Sequence, residues 1–270
     1  AGADDFVLKP FNHAELLARV KSLLRVKQAQ DELAELNRTL EARVTEQVGE
    51  LDRLGQLRRF LSPQLANLVN AGDESLLESH RRQIAVVFTD LRGFTDFSET
   101  AEPEDAMDVL REYHEAMGAQ IHRYDGTVGF FAGDGLMVFF NDPMPCDDPA
   151  VRAVRMAAGM RDDMDRLTAA WEKRGFELGW GAGLHFGYAT LGRVGYEGRW
   201  DYTAIGSVVN QASRLCAEAK PGQIIISQRV LADVEDLAEV THIGDFELKG
   251  FHKPVAAYNV AQLKQAALAG

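Results

Sequence analysis

The stretch VVFTDLRGFTDFSE, residues 86–99, joins two kinds of structure without a spacer. Val86, Val87 and Phe88 read as a buried strand. Asp90 follows where that strand is expected to end, and Arg92, Gly93 and the Thr95-Asp96 pair come at once after it. A carboxylate at the tip of an apolar strand, run straight into a small-residue turn, asks for a chemical reason.

A second carboxylate lies in FFAGDGLMVFF, residues 130–140. Asp134 stands between Gly133 and Gly135, which reads as a tight hairpin turn. Alone, such a turn is a common hairpin tip that carries no metal. Two strand-end aspartates beside glycines are different, because they can converge on one edge of a sheet. Hard cations such as Mg²⁺ prefer oxygen ligands and take one or two carboxylates plus substrate phosphates. The turn Leu91-Arg92-Gly93-Phe94-Thr95 adds free backbone N–H groups at a helix start, a cradle for phosphate. Residues 86–99 are therefore expected to deliver a metal ligand and a phosphate-binding turn in succession.

Two further motifs extend the pattern. In WDYTAIGSVVNQASRLCAEA, residues 200–219, Asn210 and Arg214 are four apart and share one face of a helix. Arg214 can meet charge developing on a phosphoryl group and Asn210 can fix a sugar oxygen. The plainer reading is a polar pair on an exposed helix face. In FELKGF, residues 246–251, Lys249 follows a strand and precedes Gly250, a position suited to a polyphosphate. By itself it is an ordinary surface lysine. His114, between Met107, Leu110, Met117 and Ile121 on one face of a helix expected at 103–123, reads as a partly buried face residue and not as a ligand.

Composition narrows the setting. The chain has 270 residues, 46% hydrophobic and 26% charged, as in ordinary globular proteins. Its net charge of −12 repels phosphate backbones and argues against nucleic-acid binding, so a phosphorylated small molecule needs a local cationic site or bound metals. Two cysteines, Cys146 and Cys216, make no disulfide framework and fit a reducing compartment. No apolar run approaches the ~18 residues of a membrane span, and the N-terminus lacks a signal-peptide pattern. The expected setting is the cytosol, with no membrane partner.

Along the chain we expect four segments. Residues 1–26 hold a short apolar strand at Phe6, Val7 and Leu8, then Lys9-Pro10, then a helix capped by Asn12. Residues 27–62 carry a narrow apolar stripe between charged flanks. With Leu33, Leu40, Leu54 and Leu61 at heptad position d, Val44 and Leu51 fall at a, Asn37 also at a, and Gln47 at d. One polar a residue fixes register and a two-stranded state, so a parallel dimeric coiled coil is expected over a solitary amphipathic helix. Ser62-Pro63 breaks the helix and opens a short helical element at 63–81. Residues 82–262 alternate strands, at 83–90, 127–132, 135–141, 179–187, 223–227, 239–248 and 255–260, with helices at 103–123, 148–174 and 208–219. That pattern points to an α+β fold.

Residues 1–26 resemble the last strand and helix of a response-regulator receiver domain, where a Lys-Pro pair joins the two. The resemblance implies that the phosphoacceptor aspartate lies on an earlier strand, so Asp4 and Asp5 do not take that role, and that the chain is a fragment of a longer protein. The other reading of residues 1–12 is a plain lead-in. RRFLSPQLANLV, residues 58–69, across the second and third segments, and in the fourth GLHFGYATLG, residues 183–192, and KPVAAYNV, residues 253–260, join the four motifs above. Together and in this order they resemble the catalytic domain of the class III adenylate/guanylate cyclases.

That resemblance implies a ferredoxin-like cyclase domain, preceded by the long coiled-coil helix, acting as a homodimer through both parts. It implies two Mg²⁺ or Mn²⁺ ions on Asp90 and Asp134, transition-state roles for Asn210 and Arg214, and a phosphate contact at Lys249. The substrate would be a nucleoside triphosphate, with Gly93, Phe94 and Thr95 at its phosphates and Thr203 at one of two base-selecting positions. Arg199 is a further candidate phosphate contact. The other base-selecting position is lysine in adenylate cyclases and glutamate in guanylate cyclases. Here it is Phe130, which can pack on a base but neither donate nor accept a hydrogen bond. The implied reaction is ATP to 3′,5′-cyclic AMP and pyrophosphate. Its alternatives are a guanylate or relaxed-specificity cyclase and a silent dimerisation module. A diguanylate cyclase lacks its Gly-Gly-Asp/Glu-Glu-Phe signature here.

Overall fold

The computed structural model describes residues 6, 10, 13–57, 78–196, 199–248 and 254–264. The chain divides into two units, Ala1–Leu61 and Ser62–Gly270.

The first unit is built on one helix, α1 (His13–Leu57), unbroken over 45 residues. At 1.5 Å per residue it is about 68 Å long. Leu33, Leu40 and Val44 of the expected stripe are exposed along it, as are Asn37 and Gln47. The side chains of Leu51 and Leu54, the break at Ser62-Pro63, and Val7, Leu8 and Asn12 lie outside the described residues. No helix among the described residues is long and apolar enough to cross a membrane.

The second unit runs β1 (His80–Arg92), α2 (Phe94–Thr100), α3 (Pro103–Arg123), β2 (Thr127–Ala132), β3 (Gly135–Phe140), α4 (Pro149–Glu172), β4 (Gly179–Tyr196), β5 (Arg199–Ile205), α5 (Ser207–Glu218), β6 (Ile224–Ser227), α6 (Gln228–Val234), β7 (Ala238–Phe246) and β8 (Val255–Leu263). The sheet order is β2-β3-β1-β4-β6-β8-β7, with β5 paired onto β4. β1 is antiparallel to both β3 and β4. The sequence β1-α3-β2-β3-α4-β4 with β1 and β3 central is the ferredoxin-like split βαβ arrangement expected from the resemblance.

The apolar run Ile84–Val87 is buried throughout because β1 is covered on both faces. Ala85, Val87 and Leu91 join α3 and α4 residues such as Val109, Tyr113, Met117 and Met160 in one core. Ile84 and Val86 join Met137, Phe139, Val208 and Ala212 in a second core, under α5. Helix α5 can lie directly on the sheet because β4 offers glycine there. A Cβ on Gly183 would stand 2.0 Å from the backbone nitrogen of Cys216.

Helix α3 begins and ends where its sequence places it, with Pro103 in the first turn, Glu104 and Asp105 beside it, and His122 and Arg123 in the last. β1 and β4 run longer than expected. Neither β5 nor α6 was expected: β5 buries only Tyr202 and Ala204 and exposes Trp200 and Ile205, so its alternation is weak in sequence.

Candidate functional site

Asp90 pairs with Gly181 across β4, and β1 continues to Arg92 opposite Gly179. The carboxylate therefore stands two residues inside the strand and not at its tip. This alters the expected turn as well. Leu91 and Arg92 are strand residues, and Gly93, with φ 82°, makes the corner alone. Its carbonyl accepts from the Phe97 N–H at 3.0 Å, and the first N–H groups of α2 have no helical partner. Phe94 is buried and Thr95 exposed. A Cβ on Gly93 would meet the Glu177 carbonyl oxygen at 3.1 Å, so both conformation and space favour glycine there.

Gly133 and Asp134 form the two-residue turn of the β2–β3 hairpin, closed by the Ala132–Gly135 pair. A Cβ on Gly135 would lie 4.0 Å from Asp90 Oδ1, so the strand after Asp134 runs right beside Asp90. The two carboxyl groups interact. Burial first, then a hydrogen bond and like charge from Asp134, raise the Asp90 pKa to about 6 against the pull of Arg92. A carboxyl group held this way near neutrality gains by trading its proton for a cation. Among the described residues no group of three or more His, Cys, Asp or Glu could hold a metal. Two carboxylates leave most of a hard cation's sphere open for water or phosphate oxygens, and this donor set fits Mg²⁺ or Mn²⁺.

Arg92 ties Asp90 to its surroundings. Its Nη1 donates to Asp90 Oδ2 at 2.8 Å and its Nε to the Ala219 carbonyl at 2.7 Å, while Nη2 donates to the Cys216 carbonyl. These carbonyls end α5, where a cation satisfies orphaned acceptors and the helix dipole together. Burial pushes the neighbouring Cys216 thiol up to about 11, so it stays protonated.

On α5, Val208, Ala212, Leu215 and Cys216 face inward while Asn210 and Arg214 are exposed on the outer side. The two share a face, as their spacing requires, and neither makes a side-chain hydrogen bond or ion pair among the described residues. They are not brought onto Asp90 of their own chain by any such contact. Phe130 lies on β2, 41% exposed, with its ring edge-on to Phe88 at 5.7 Å. Phe88 is two residues before Asp90 on β1, so Phe130 packs on the same face of the sheet as Asp90. Thr203 is half-buried on β5 opposite Gly192. Lys249 and the Arg199 side chain lie outside the described residues.

Sequence reasoning left two participants unassigned. Arg92 reads in the sequence only as part of a turn, because the two carbonyls that hold it are 124 and 127 residues away in the chain. His114 is half-buried, as expected of a face residue, yet its Nε2–H donates to the Gly133 carbonyl at 3.0 Å. Burial lowers its pKa.

Residues 77–262 match the family model of the adenylate and guanylate cyclase catalytic domain. The chain is 30% identical to Adenylate cyclase 1 of Rhizobium meliloti over 189 residues, 69% of this chain and 28% of that protein. The match therefore spans less than a third of that relative's length. Among solved structures it is similar to the adenylyl cyclase CyaB from P. aeruginosa, 38% identical with a TM-score of 0.68 over 70% of this chain and 98% of that one. It is also similar to the guanylyl cyclase Cya2, 32% identical with a TM-score of 0.66 over 69% of this chain and 95% of that one.

Proposed function

The chain belongs to the adenylate and guanylate cyclase catalytic domain family over residues 77–262, and from that premise we propose that it converts ATP to 3′,5′-cyclic AMP and pyrophosphate as a homodimer. The observation that carries this reading is the meeting of the Asp90 and Asp134 carboxyl groups beside Gly135, where burial first and the contact with Asp134 next raise Asp90 to about 6. Two Mg²⁺ or Mn²⁺ ions bound there would acidify the ribose 3′-hydroxyl and balance the charge of the triphosphate. Asp90 and Asp134 hold the ions as carboxylates. The N–H groups that follow Gly93 donate to phosphate oxygens, and Lys249 contacts the outer phosphates. Asn210 orients the ribose, and Arg214 meets the charge that grows as the 3′-oxygen attacks the α-phosphorus and pyrophosphate departs.

Asn210 and Arg214 are exposed and unpaired among the described residues. This supports a site finished by a second copy, with carboxylates from one chain and the amide and guanidinium from the other. Two-fold symmetry then gives two equivalent sites. The exposed Leu33, Leu40 and Val44 of α1 support a two-stranded coiled coil, with Asn37 setting its register. Such a coil can pass a receiver's state to the catalytic pair by shifting its strands.

Phe130 favours a second reading, a guanylate or relaxed-specificity cyclase. Apolar packing discriminates by only about 1–3 kcal/mol, far less than a polar readout of the base. Purified protein given ATP, GTP, CTP and UTP in turn with Mn²⁺ tests both. Cyclic AMP is expected as the dominant product. Dominant cyclic GMP would transfer the assignment to the second reading, and no product from any nucleotide would remove the enzyme.

A further inference from the structure

Tyr113 and His114 are neighbours on α3, on the side of the sheet away from Asp90. Their side chains leave the helix about 100° apart and reach different targets. The Tyr113 hydroxyl hydrogen-bonds to Thr89 Oγ1 at 2.8 Å, both groups almost wholly buried. His114 Nε2–H donates to the Gly133 carbonyl at 3.0 Å. Thr89 immediately precedes Asp90, and Gly133 immediately precedes Asp134. Each of two consecutive helix residues thus holds the residue just ahead of one of the two carboxylates, Tyr113 by the Thr89 side chain and His114 by the Gly133 backbone.

The two bonds do different work. Tyr113 closes a buried hydroxyl pair, so loss of one partner leaves the other unsatisfied. His114 holds a hairpin tip. Gly133 has φ 65° in a two-residue turn, and a tip of that kind is otherwise free to swing. The imidazole also stands edge-on to Phe131 at 5.1 Å, within the same hairpin. The tip is therefore gripped at two places, by a donor on its carbonyl and by a ring against its preceding strand.

We infer that Tyr113 and His114 are positioning residues that set the separation of the Asp90 and Asp134 carboxylates and so tune divalent-cation affinity without touching the ion. The inference rests on the proposed metal-dependent reaction. Groups that orient ligands from outside the coordination sphere typically change metal affinity by about 10–100-fold. Placed on one rigid helix turn, the two bonds fix both segments to a common ruler.

The test uses Mn²⁺ alone, followed by electron paramagnetic resonance on the purified chain, together with the half-saturating Mn²⁺ for turnover. His114→Phe keeps a ring against Phe131 and loses the donor. It should weaken Mn²⁺ binding by ~10-fold and raise half-saturating Mn²⁺ similarly, while kcat at saturating Mn²⁺ and the melting temperature hold. His114→Gln keeps an N–H donor and should return both values most of the way to wild type. Tyr113→Phe, which preserves the packed ring, should act in the same direction and gives the answer should His114→Phe fail to fold. Unchanged Mn²⁺ affinity in the folded variants overturns the inference, as does a wild-type chain that does not bind Mn²⁺. Wild type that binds Mn²⁺ in this graded way yet forms no cyclic nucleotide overturns the proposed reaction and leaves the positioning role standing.

Discussion

Asp90 shows how much of this site is a matter of single groups. Its raised pKa has burial as the larger cause and Asp134 as the next. Asp134→Asn removes the like charge, so the Asp90 pKa should fall from about 6 toward the ordinary carboxylate range. Carboxyl-carbon NMR titration of the two proteins reads that shift, and an unmoved Asp90 would show that the two groups do not sense each other. Phe130→Lys puts a donor where an aromatic ring now lies beside Phe88. It should raise the ATP-over-GTP ratio of kcat/KM at least ~10-fold, since a polar base contact discriminates far beyond packing. An unchanged ratio would mean that position 130 does not face the base. That the two aspartates lie near each other was legible in the sequence, because each follows or precedes an apolar run beside a glycine-bearing turn, although Asp90 stands inside its strand and not at the tip. Arg92 stood in the same quoted stretch and was not legible, since the carbonyls that hold it belong to the far end of α5.

At the scale of elements, the seat of α5 on β4 is the contact most exposed to test. A Cβ at Gly183 would run into backbone, not into the end of a flexible side chain, so α5 would have to lift. Gly183→Ala should cost about 1–3 kcal/mol, read by urea denaturation, and should weaken turnover by moving Asn210 and Arg214. Stability equal to wild type would mean that the helix floats freely over the strand. The sequence made most elements plain for physical reasons. β1 and β3 are continuous apolar runs because helices or other strands cover both of their faces. α3 carries its own start and stop signals. The extension of β4 past residue 187 and the strand β5 were not plain, because their buried face is carried by Ala189, Leu191, Tyr202 and Ala204, two of them small, while Arg193, Tyr196 and Trp200 mix charge and aromatic rings at the exposed end. α6 was missed because QRVLADV, at seven residues, is too short to display helical periodicity.

For the whole molecule, two histidines oppose each other in the dependence of stability on pH. His185 is buried on β4, its Nδ1 2.7 Å from Ser227 Oγ, and burial followed by the charge of Arg229 lowers its pKa to about 4. A depressed histidine is neutral in the fold, so its contribution is complete above about 6.5 and is lost as pH falls toward 4. The loss is on the order of 3 kcal/mol at most. His80 behaves in the reverse sense. Burial pulls it down, but bonds to Asp142 and to the Glu78 carbonyl outweigh that and raise its pKa. Its contribution is present at low pH and fades as pH rises through the raised value. Urea midpoints at pH 7 and pH 5 should therefore drop for wild type and drop less for His185→Gln. Equal drops would assign the acid sensitivity elsewhere. The guanidinium of Arg92 has one more implication. It grips Asp90 with one nitrogen and the end of α5 with the others, so the carboxylate and the helix bearing Asn210 and Arg214 travel together. If each centre is completed by a second copy, as proposed, its carboxylates and its helix would belong to different chains, and an Arg92 link would run from each centre to the other. Under that reading, loading one centre would be felt at its twin through the two guanidinium links.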